Sequence, residues 1–159
     1  MFQTQVHLFM THLPVFGSLL GSLVLVHGIY KRSNPTKIAA YNLFIVSAIG
    51  VCIVYFTGEA AQKSIENISG LSDYTISQHK YYGTISLLVF LLLGIVSTIG
   101  LFITKRGNIH AKWIANFIFF IAIICFGLTL KTSLVGNKIR HTELNKIVPI
   151  PPQKVIDEE

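Results

Sequence analysis

Apolar and polar residues follow one another along this chain in long blocks rather than at short periods. Four stretches, 1–30, 38–58, 81–104 and 113–130, contain no Asp, Glu, Lys or Arg. About 20 apolar residues in a helix cross the ~30 Å hydrocarbon core of a bilayer, and a helix is the only open-chain structure that satisfies its own backbone there. The pattern predicts an all-α integral membrane four-helix bundle with helices over about 5–30, 38–58, 75–104 and 111–135. These make up a membrane domain over 1–141, followed by a Pro-rich polar tail over 142–159 with no fixed fold.

The helix ends carry local signals. Ser72-Asp73 reads as the start of the third helix and Asn108 as a cap for the fourth. Gly136-Asn137 reads as a left-handed stop, after which the chain turns back. Pro14 sits either in the first turn of a helix beginning near Thr11 or at a kink that frees the Met10 carbonyl. Gly17, Ser18, Gly21, Ser22 and Gly28 put small residues along the first helix, where they either let a neighbouring backbone approach or leave room for a flat cofactor.

Charge orients the bundle. The short connections 31–37 and 104–112 hold Lys31, Arg32, Lys37, Lys105, Arg106 and Lys112 and no acid, which is the positive-inside signature of cytoplasmic turns. All seven acids, Glu59, Glu66, Asp73, Glu143, Asp157, Glu158 and Glu159, then fall on the other side with both termini, the periplasmic side of a bacterial inner membrane. The net charge of +6 thus belongs to a membrane rim rather than to nucleic-acid binding. No basic residue precedes the first apolar run and no small-residue cleavage site follows it, so the first helix is expected to stay.

Composition narrows the chemistry. With 52% hydrophobic and 13% charged residues, the chain is built to meet lipid. It has no phosphate loop, nucleophile triad, CxxC or CxxCH element, which leaves hydrolysis, nucleotide use and covalent haem without support. Cys52 and Cys125 fall mid-helix and read as small packing residues. No acid or base lies at mid-membrane depth, which argues against transport.

Depth singles out one end. At 1.5 Å per residue from the basic anchors, His12 lies at ~28 Å, Glu59 at ~33 Å, His7 at ~36 Å and His79 at ~39 Å. Lys131 reaches ~28 Å and can snorkel outward. A chain that turns back at Gly136 hangs His141 over the same mouth. Four of the six histidines and one carboxylate thus converge on the outer end, while His27 and His110 lie near the inner rim. Ionisable groups inside a membrane bundle are costly and usually functional.

The pattern His7-x4-His12-x-Pro14, Thr57-Gly58-Glu59-Ala60 closing the second helix, His79 opening the third and Ile139-Arg140-His141-Thr142-Glu143 after the fourth resembles a bacterial four-helix inner-membrane family. That family consists of predicted membrane proteins whose shared domain has no assigned function. The resemblance covers about residues 3 to 143 and implies functional polar positions at His7, His12, Pro14, Gly58, Glu59, His79 and His141. The chain departs from the pattern where a pair of glycines is expected and Gly136-Asn137 stands. The layout is also similar to four-helix b-type cytochromes, a likeness of fold alone.

Three functions are expected from these residues. The first is electron transfer by b-type haem bound at the outer end, with His12 and His79 as axial pair and His7, Glu59 and His141 around it; His27 and His110 could hold a second haem. The second is a copper, zinc or non-haem iron site built from His7, His12, Glu59, His79 and His141. The third is a non-catalytic subunit or assembly factor that packs against a larger membrane or redox complex, its histidines serving as hydrogen-bonding groups.

Overall fold

The computed structural model describes residues 2–63 and 72–147, with side chains as far as Ile139. These residues form five helices, α1 (Phe2–Met10), α2 (His12–Tyr30), α3 (Asn34–Lys63), α4 (Asp73–Lys105) and α5 (Ala111–Ile147), and no strand. Four spans, with α1 and α2 counted as one, are long and apolar enough to cross a membrane, which makes the chain a multi-pass membrane protein.

The first span is two helices rather than the single helix expected over 5–30. Pro14 lacks an N–H for the Met10 carbonyl, and the ladder breaks at Thr11. Thr11 bridges the break, its N–H donating to the His7 carbonyl at 3.0 Å and its hydroxyl to that of Leu8 at 2.7 Å. Below the break, α2 to α5 form a ring in which each helix packs on its two neighbours, while α1 lies chiefly on α3.

Small residues set the α2–α3 contact. A side chain at Gly21 would run into the Phe44 ring, one at Gly17 into Ser47, and one at Gly28 would stand 2.9 Å from the Lys37 backbone nitrogen. The gap along α2 is therefore filled by α3, and no flat cofactor shares it. Leu25, Tyr41, Phe44, Phe90, Leu93, Ile118 and Cys125 complete a core in which the predicted packing role of Cys125 is met. Cys52 is half-buried and also free. Phe16, Leu23, Ile49, Leu88, Ile95, Phe117 and Phe120 face outward, where lipid would cover them.

Both turns at the basic end close by the same device. Arg32 (φ 54°) and Gly107 (φ 64°) are left-handed, and the next residue donates back five positions, Ser33 to Gly28 at 2.9 Å and Asn108 to Ile103 at 3.3 Å. The third span starts at Ser72-Asp73 as expected, the Ser72 carbonyl accepting from Thr75 and Ile76 while its side chain makes no capping bond, and the Asn108 side chain accepts from the His110 N–H at 2.9 Å just before α5.

The fourth helix corrects the expectation at its far end. Gly136-Asn137 does not stop it; α5 continues to Ile147, so the chain makes no turn there and part of the predicted 142–159 tail is helix. Gly136 serves packing instead, because its missing side chain is where a ring of α4 lies. The side chain of His141 and residues 148–159 lie outside the described residues.

Substitution can separate the two kinds of glycine. Gly28→Ala should lower stability by roughly 1–3 kcal/mol through backbone overpacking, whereas Gly127→Ala, with open space beside it, should be neutral or gain ~0.5–1 kcal/mol in thermal unfolding in detergent.

Candidate functional site

Two imidazoles are built into helix contacts at the end away from the basic turns. His7 of α1 donates through Nδ1–H to the Val54 carbonyl of α3 at 2.9 Å, with Thr57 Oγ1 3.4 Å from the same nitrogen. The ring fits because residue 58 is glycine: a Cβ there would stand 3.3 Å from His7 Cε1. Thr57 spends its own proton on α3 carbonyls, Ile53 at 2.7 Å and Val54 at 3.2 Å.

His79 repeats this arrangement on the other helix pair. Its Nδ1–H donates to the Thr132 carbonyl of α5 at 3.1 Å, and a Cβ at Gly136 would come within 2.9 Å of its Cε1. Thr132 also meets Ser86 of α4, hydroxyl to hydroxyl at 3.1 Å, one further tie between the two helices. One turn along α4 from His79, Gly83 has nothing within 4 Å of where a side chain would stand.

Both rings lie at the end of the bundle away from the basic turns. In each, the bond at Nδ1 fixes the neutral tautomer that carries its lone pair on Nε2, and neither Nε2 has a hydrogen-bond partner among the described residues. An imidazole anchored through Nδ1–H to a carbonyl is the usual posture of a metal-ligating histidine. It is also a posture that holds helices together without any ligand.

The remaining predicted residues lie elsewhere. His12 is exposed, and its one recorded contact is with the Phe16 ring, 6.4 Å away between centroids. Five residues on a helix is about 140° of rotation from His7, so the two rings cannot share a face. Glu59 is 75% exposed and paired with Lys63 at 3.1 Å along its own helix. His27 and His110 are both exposed. Among the described residues no three His, Cys, Asp or Glu side chains come together as metal ligands, so His7, His12, Glu59 and His79 form no such group among themselves, and the fifth expected member, His141, has its side chain outside the described residues. Lys131 places its ammonium 5.5 Å from the Tyr82 ring centroid, which retains it near this end.

No known family model, curated protein or solved structure matches the chain. Its chemistry is therefore inferred from the site alone.

Sequence reasoning missed Val54, Ser86 and Thr132 as partners. A signal was present in Thr132-x3-Gly136, a hydroxyl and a glycine four apart on one helix face, the same pair of residue types that Thr57-Gly58 presents to His7.

These contacts predict unequal costs. His7→Ala and His79→Ala should each lower stability by about 1–2 kcal/mol through a lost interhelical bond, and His12→Ala should stay within ~0.5 kcal/mol, measured by thermal unfolding in one detergent.

Proposed function

We propose that the protein holds b-type haem at its histidine end, through His7 and His79, and passes electrons in a bacterial inner membrane, with the basic turns cytoplasmic. The observation that carries this reading is the pair of imidazoles at one end of the bundle, each anchored through Nδ1 to a carbonyl of a neighbouring helix with Nε2 uncommitted. The axial pair is His7 with His79 rather than His12 with His79, because His12 is exposed and makes no hydrogen bond that would orient it.

The donor set fits such a group, since a bis-histidine haem needs two oriented neutral imidazoles from different helices. The glycine stripe of α2 is not its cradle, being occupied by Phe44, Ser47 and Lys37. Of the three glycines near the histidines, Gly58 and Gly136 are taken up by the imidazoles themselves, and Gly83 has open space beside it. Haem iron would supply one-electron chemistry; the chain's part is to hold and orient the imidazoles. A zinc, copper or non-haem iron centre requires more ligands than the described residues gather.

A second reading has its own support. Each histidine already ties one helix to another, His7 joining α1 to α3 and His79 joining α4 to α5, which is all that a non-catalytic subunit of a larger membrane complex would require of them.

Ultraviolet–visible spectra of the purified full chain, oxidised and dithionite-reduced, decide between the two. The haem reading expects a Soret band that shifts on reduction, lost in His7→Ala and in His79→Ala and kept in His12→Ala. A colourless protein without stoichiometric iron, even after haem is added, would overturn it and leave the subunit reading.

A further inference from the structure

The opposite end of the bundle carries polar groups for which the histidine site has no use. Lys37 lies in the first turn of α3 and is only 7% exposed. Its stem rests against Gly28 of α2, and its ammonium has Asn34 Oδ1 at 3.4 Å as its hydrogen-bond partner. One turn on along the same face, Tyr41 is fully buried, and its hydroxyl lies beside Thr104 Oγ1 of α4 without either completing a hydrogen bond.

Donors and positive charge thus gather where acceptors are missing. An ammonium has three protons to place, and one long bond to an amide leaves most of that need unmet. A buried ion without a counter-charge is costly, and a cation in a helix's first turn faces the positive end of the helix dipole. The chain offers no remedy nearby: Glu59 and Asp73, the acids whose side chains are described, stand at the histidine end. Around Lys37 the rim holds only further cations, Lys31, Arg32, Lys105, Arg106 and Lys112.

We propose that the basic end binds a phosphate oxyanion on Lys37, with the hydroxyls of Tyr41 and Thr104 as further donors, and that the phosphate belongs to the headgroup of an anionic lipid. A lipid phosphate lies at the depth of this rim without leaving the membrane. It would neutralise the buried ammonium, oppose the α3 dipole and meet the two unpartnered hydroxyls together.

The test uses the full chain in phosphatidylcholine nanodiscs, with phosphatidylglycerol added or with inorganic phosphate added, read by thermal midpoint and by lipid retained on detergent extraction in native mass spectrometry. The wild type should retain phosphatidylglycerol and be stabilised by it. Lys37→Gln should lower retention about fivefold or more. Lys112→Gln, at an exposed rim position, should change it less than about twofold. Tyr41→Phe removes one unpartnered hydroxyl with little change of shape, and should lower retention while the protein stays folded, which keeps the test sharp should Lys37→Gln not fold. Stabilisation by inorganic phosphate equal to that by phosphatidylglycerol would support the oxyanion site and overturn its assignment to lipid. Wild-type retention in both Lys37→Gln and Tyr41→Phe would overturn the site itself.

Discussion

A polar group inside a hydrocarbon layer must find a partner in the protein, and most of this structure follows from that demand. The backbone meets it by forming helices. Most hydroxyls meet it within their own helix: Ser18 donates to the Pro14 carbonyl at 2.6 Å, Ser22 to Ser18 at 2.7 Å, Ser47 to Leu43 at 2.7 Å and Thr98 to Gly94 at 2.8 Å. Such bonds let small polar residues line helix contacts without tying one helix to the next. Few groups reach across. Among the described residues His7, His79 and the Ser86–Thr132 pair do so, and all lie toward the same end.

That division gives the bundle two unlike ends. At one, imidazoles close two helix contacts and turn one nitrogen each to carbonyls, a geometry that stabilises the fold and prepares a ligand at the same time. At the other, charge and hydroxyls are left over, with Lys37, Tyr41 and Thr104 beneath a rim of cations. The middle is apolar core with a few hydroxyls bonded within their own helices, and Ser97 is buried there without a partner.

The spans were legible in the sequence because charge-free runs of membrane length admit few alternatives. Their ends were less so: α3 runs from Asn34 to Lys63 rather than over 38–58, since a helix does not stop where the hydrocarbon does. Gly136 misled for a reason that sequence alone hides, because a glycine that makes room for a neighbouring ring and a glycine that ends a helix are the same letter. The site was half legible. Counting residues from the basic anchors gave the depth of His7, His12, Glu59 and His79, but depth says nothing about direction around a helix. Direction separated them, His7 and His79 turning to neighbouring helices while His12 and Glu59 turn away.

The account depends on both imidazoles being held by Nδ1–H on a carbonyl with Nε2 available. Nitrogen-15 NMR of the histidine-labelled protein in lipid, prepared without haem and with His7 and His79 assigned by substitution, reads this directly. The account predicts that both rings are neutral and protonated on Nδ1. Either ring protonated on Nε2 instead would contradict it, since that nitrogen could then accept no metal and the carbonyl contact could not be a hydrogen bond.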